Sequence, residues 1–163
     1  MNWIFGDNIN TDLITPGRLN ISTVPEELAK VVFLEYCPSF SKEVKSEDFV
    51  VAGRNFGCGS SRETAVLALK ACQIKAVLAK SFARIFYRNC INNGLLAIIT
   101  DTSNIEKDDE LELDLEKRVL LNKTKGIDLQ IVLPGLMLES YRAGGIIPLI
   151  KQHGLDFLTR LTE

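Results

Sequence analysis

Between residues 49 and 100 short apolar runs and helical periods alternate along the chain. Phe49 to Gly53 is an apolar run of strand length, and SRETAVLALKAC, starting at Ser61, has a helical period that turns Val66, Leu69 and either Ala65 or Cys72 inward. IKAVLAK is a second apolar run, FARIFYRNCINNGL reads as a helix closed by Asn93-Gly94, and LLAIIT is a third strand. Strand, helix, strand, helix, strand is the pattern of a parallel sheet with crossover helices. Upstream, WIF predicts a short strand running into an Asp/Asn/Thr/Pro loop. Thr23 then opens a predicted helix, with Glu26 completing a capping box, Leu28, Val31, Val32 and Tyr36 on one face, and Pro38 at its end. Downstream the period changes to two: ELELDL and RVLL alternate around Glu116-Lys117, and IDLQIVL follows, which predicts a small antiparallel β layer. The acidic run from Glu106 to Glu116 reads as the solvated approach and face of that hairpin. LPGLMLESYRAGGIIPLIKQHG predicts two helical pieces hinged at Gly144-Gly145.

Length and composition narrow the class. At 163 residues the chain is expected to be one domain spanning 1–163. It is 46% hydrophobic and 25% charged with a net charge of -2, an ordinary balance for a globular protein. Without a basic excess or block, neither nucleic acid nor an anionic membrane is an expected partner. No apolar stretch approaches the roughly 20 residues of a membrane span. MNWIFGDNINTD turns polar and acidic at once, so no signal peptide is read there and a cytoplasmic location is expected. Cys37, Cys58, Cys72 and Cys90 show no C-x-x-C spacing, so free thiols are expected and no metal site. His153 is the only histidine, which argues against a self-contained zinc enzyme or histidine-based hydrolase.

The richest stretch is GRNFGCGSSRE, Gly53 to Glu63, between the first strand and helix of the alternating region. Ligands of parallel sheets sit at the carboxyl ends of strands, where such loops lead into helices. Three readings fit. Ser60-x-x-Glu63 matches a capping box, with glycines making the turn. A phosphate loop is the second, although the Walker lysine is absent and G-x-G-x-x-G fails after Gly59. The third is a carboxylate site in which one serine also does chemistry. There the glycines admit close backbone approach, the helix-start amides favour an anion, and Arg62 supplies a planar fork.

GRNFGCGSSRE followed by AVLAKSFARIFYRNCINNGL, together with DNINTDLITPGR near the start, resembles the small subunits of the aconitase-like hydro-lyases, in particular the isopropylmalate dehydratases. Residues 5–18 and 49–99 carry the match, and the length suits a stand-alone small subunit. The resemblance implies an α/β fold of the swivelling β/β/α type found at the C-terminus of aconitases. It implies a parallel strand-helix core with a small β layer. It also implies that this chain binds no cofactor itself and lends its Gly-Ser-Ser-Arg loop to a separate large subunit that carries a [4Fe–4S] cluster. The implied reaction interconverts 2-isopropylmalate and 3-isopropylmalate by dehydration to 2-isopropylmaleate and rehydration.

By the same resemblance Ser60 is the base that takes the proton next to the carboxylate. Ser61 and Arg62 bind a substrate carboxylate, and Asp12 orients a catalytic group of the large subunit. Read from the residues alone, Asp12 is an Asx-type turn before Pro16. Two positions depart from the family pattern. Thr64 stands where relatives have histidine after Ser-Ser-Arg-Glu. In the loop after Gly17-Arg18, Ile21 stands where tricarboxylate-acting relatives have arginine. An apolar side chain cannot pair a third carboxylate, so Ile21 predicts an alkyl-malate substrate. A dimethylmalate dehydratase, a homoaconitase and a non-catalytic regulatory or RNA-binding relative are the rival readings. Lys80, Ser81 and Arg84 follow the next strand and are expected to hold the site or an interface. Cys58 is expected to be a small filler and His153 a surface residue.

Overall fold

The computed structural model describes residues 1–19, 22, 24–157 and 159. Four strands, β1 (Asn2–Ile4), β2 (Phe49–Ala52), β3 (Ala76–Ala79) and β4 (Ala97–Ile99), form a parallel sheet in the order β1-β2-β3-β4. Every residue of β2 and β3 is buried, the mark of strands covered on both faces. Helix α4 (Glu63–Ala71) crosses from β2 to β3, and α5 (Arg84–Asn93) from β3 to β4, as the alternating pattern predicts. Ala65, Val66, Leu69 and Cys72 are all buried. Gly94 closes α5 in the left-handed conformation, its amide donating to the carbonyl of Ile91.

The second layer is the antiparallel sheet β5 (Leu111–Asp114), β6 (Val119–Asn122) and β7 (Ile127–Gln130). An isolated bridge between Ile99 and Val132 ties it to β4. Helices α6 (Gly135–Ala143) and α7 (Ile146–His153) follow, hinged at Gly144-Gly145 as expected. The acidic approach is not wholly a solvated face. Asp109 is buried, accepting from the Glu106 amide at 2.8 Å and the Asn122 side chain at 2.7 Å, while its own carbonyl receives Asn2 at 2.8 Å. The Glu106 amide above all holds its carboxyl below the ordinary value.

The N-terminal third is more broken than its periodicity predicts. It holds α1 (Thr11–Ile14), a 3-10 turn Gly17–Leu19, α2 (Pro25–Val31) and α3 (Phe40–Glu43). Helix α2 starts on Pro25 with no side-chain cap at Val24, and the expected cap Thr23 lies outside the described residues. The helix stops at Val31 instead of running to Tyr36. Phe33 takes a positive φ of 54°, and its amide donates to the carbonyl of Ile14 at 2.8 Å. Its ring stacks on Phe5 at 4.3 Å and meets Phe40 edge-on at 5.0 Å. Burial of that aromatic cluster overrides local helix propensity.

Candidate active site

Three loops leave the carboxyl ends of β1, β2 and β3 side by side: residues 5–10, 53–62 and 80–83. Backbone bonds stitch them into one surface. Gly57 donates to Ile9 at 2.7 Å, Thr11 to Cys58 at 2.9 Å, Phe56 to Ser81 at 3.0 Å and Ala83 to Phe56 at 2.9 Å. The Ser81 hydroxyl accepts from the Asn55 amide at 2.8 Å, so Ser81 holds the glycine loop in place. The Lys80 ammonium pairs with Asp101 at 3.8 Å.

Two of the loop glycines make room for the protein's own side chains, not for a ligand. A Cβ on Gly53 would lie 1.8 Å from an oxygen of Asp7, the carboxylate that receives the Arg54 amide at 2.6 Å. A Cβ on Gly57 would lie 2.1 Å from the ring of buried Phe86. Gly59 differs. Its φ of +86° needs glycine, but the nearest atom to an added Cβ is 3.4 Å away.

The capping box does not form. Helix α4 begins at Glu63, its N-cap is Arg62, and no side chain caps it. The Ser60 carbonyl is drawn into a tight turn instead, accepting from the Arg62 amide at 2.8 Å and the Thr11 hydroxyl at 2.9 Å. Glu63 turns away and accepts from Asn93 at 2.9 Å. The first turn of α4 therefore presents amides without their usual side-chain acceptor, next to two exposed hydroxyls, Ser60 and Ser61.

Asp12 and Arg62 meet directly in an ion pair. The same guanidinium donates to the Thr15 carbonyl at 3.3 Å and packs against Gly17, where a Cβ would come within 2.8 Å of it. The turn-forming role read for Asp12 belongs to Asn10, whose side chain accepts from the Leu13 amide at 2.9 Å and caps α1. That leaves the Asp12 carboxylate free for Arg62.

Ser60 lines an open groove of about 620 Å³ with Gly57, Gly59, Phe82, Arg84 and Arg88. Arg88 escaped the sequence reading, and its signal was the four-residue spacing from Arg84 on α5. Ile21 lies outside the described residues. Burial pushes the Tyr87 phenol up to about 12, so it stays neutral near pH 7 and supplies no base. Cys58 is half-buried in the loop, and exposed His153 stacks on Phe157 at 4.6 Å. Among the described residues no three His, Cys, Asp or Glu side chains gather to hold a metal. No helix among them is long and apolar enough to cross a membrane.

A family model described as the aconitase C-terminal domain matches residues 9–103. The 3-isopropylmalate dehydratase small subunit 2 of Archaeoglobus fulgidus is 51% identical over 154 residues, covering 93% of this chain and 93% of its own length. The methanogen homoaconitase small subunit of Methanocaldococcus jannaschii is 50% identical over 153 residues, covering 93% and 89%. The crystal structure of 3-isopropylmalate dehydratase (leuD) from Methanocaldococcus jannaschii matches with a TM-score of 0.89 at 46% identity, over 98% of this chain and 96% of that one.

Proposed function

This chain belongs to the aconitase C-terminal domain family, and from that premise we propose that it is the small subunit of an isopropylmalate isomerase. With a large subunit it interconverts 2-isopropylmalate and 3-isopropylmalate by removing and re-adding water, a hydro-lyase reaction. The observation that carries the reading is the exposed Ser60-Ser61 pair at the uncapped start of α4, with the Asp12–Arg62 pair beside it. Relatives named as dehydratase small subunits match over nearly the whole chain.

Ser60 takes the proton from the carbon beside a carboxylate, and returns it on rehydration. An ordinary serine is too weak a base for this. The positive end of α4 favours its alkoxide. The Thr11 and Arg62 bonds to the Ser60 carbonyl fix the backbone that aims the hydroxyl. Ser61 and Arg62 bind a substrate carboxylate. Arg62 is suited to it by its fork, already oriented by Asp12, Thr15 and its packing against Gly17. Asp12, more exposed than Arg62, offers its second oxygen to a group of the large subunit.

The residues present do not fit a [4Fe–4S] cluster, which needs a set of thiolates. Cys72 and Cys90 are buried, with thiols pushed up by burial. The cluster belongs on the large subunit, and activation of the leaving hydroxyl lies outside this chain. Ile21 selects an alkyl malate over a tricarboxylate, because an apolar group cannot pair a third carboxylate. A related homoaconitase activity is the competing reading, favoured by the relative of that name.

The test is turnover by the assembled enzyme on isopropylmalate, dimethylmalate and homocitrate side by side, following the unsaturated intermediate. Preference for isopropylmalate supports the reading. Preference for homocitrate overturns the role given to Ile21.

A further inference from the structure

We infer that Arg84 and Arg88 form a second carboxylate clamp for the substrate, separate from Arg62. The inference rests on the functional reading above. Arg84 is the first residue of α5, whose N-cap Ala83 makes no side-chain bond and whose first turn holds no acid. Arg88 follows one turn later, on the same face. Both guanidiniums are exposed, and neither has an ion-pair or hydrogen-bond partner among the described residues.

Two like charges and a helix N-terminus repel one another unless an anion joins them. Arg62, by contrast, already has its charge met by Asp12. The groove that holds both arginines also holds Ser60, and Phe82, Ala83 and Ile85 line it with apolar surface. A molecule carrying a carboxylate and a branched alkyl group satisfies both halves of that lining. A malate has two carboxylates, so one falls to Arg62 and Ser61 and the other to Arg84 and Arg88. The two clamps then hold the C–H bond between them against Ser60.

The experiment uses the assembled enzyme with R84Q, R88Q, the double variant and R88K. It measures kcat and KM for 2-isopropylmalate, and binding of succinate, a dicarboxylate that cannot lose water, by calorimetry. Each glutamine variant should raise KM and weaken succinate binding about tenfold, with kcat changed by only a few fold, since a clamp binds ground and transition states alike. R88K should recover part of the loss, keeping the charge without the fork. Unchanged KM and succinate affinity in the double variant would overturn the clamp. So would a rise only in the subunit concentration needed for assembly, which would mark these arginines as partner contacts. If the unsubstituted assembly turns over no alkyl malate, the functional reading fails, and the succinate comparison still decides the clamp.

Discussion

Replacing Gly57 and Gly59 separately by alanine tests whether the glycine loop is shaped by the protein's own packing. Both residues have positive φ, +78° and +86°, so an alanine at either pays the same left-handed penalty of about 1–2 kcal/mol. The gain from a stiffer unfolded chain is also common to both and cancels. They differ in what the new methyl meets. At Gly57 it would lie 2.1 Å from Phe86 Cγ and 2.5 Å from two more atoms of that side chain. Phe86 is buried and its ring meets Phe56 edge-on at 5.3 Å, so it has little room to yield. Overpacking of this kind adds roughly 1–3 kcal/mol. At Gly59 the nearest atom is 3.4 Å away and no such cost arises. G57A should therefore be less stable than G59A by about 2 kcal/mol. In urea unfolding followed by circular dichroism this is about 1 M between midpoints at a slope of ~2 kcal/mol/M. Equal midpoints would refute the reasoning and return Gly57 to the role of admitting a ligand.

Other outcomes follow from the same geometry. R62K should lose most activity in the assembled enzyme while its thermal midpoint moves little, because a pair this exposed contributes no more than about 1 kcal/mol and a lysine cannot fork between Asp12 and substrate. Burial pushes the Asp48 carboxyl up, but bonds from the Met1 amine, the Lys45 amide and the Trp3 indole outweigh it and hold it below its ordinary value. Its stabilisation is thus present above the unfolded carboxyl's pKa of about 4 and is lost as pH falls through the lower folded value. D48N should be less stable at neutral pH and flatten the acid limb of a stability–pH curve. Burial raises the Cys72 thiol to about 12 and Cys90 well above its ordinary value. Iodoacetamide at pH 8 on the native chain should therefore label Cys37 and Cys58 and spare the other two, read by mass spectrometry.

The alternating core was legible because buried parallel strands and their crossover helices leave simple periods in the sequence, and α4, α5 and the strands between them fall where those periods put them. The aromatic end of the N-terminal third was not, because the stop after Val31 depends on Phe33 reaching Ile14 and Phe5, partners 19 and 28 residues back along the chain. The capping box failed for a related reason: Thr11, at the start of α1, captures the Ser60 carbonyl, and the helix starts later. At the site, motif resemblance named Ser60, Ser61, Arg62 and Asp12, and the fold puts Asp12 against Arg62 across 50 residues of sequence. Arg88 had only its four-residue spacing from Arg84 to mark it, and the groove is what connects it with Ser60.

The central claim is that Ser60 does the proton transfer. The most direct measurement is kcat for 2-isopropylmalate isomerisation by the enzyme assembled with S60A. The account predicts a fall of about a hundredfold or more with KM nearly unchanged, the loss expected when a required base is removed. A kcat within a few fold of the unsubstituted enzyme would contradict it.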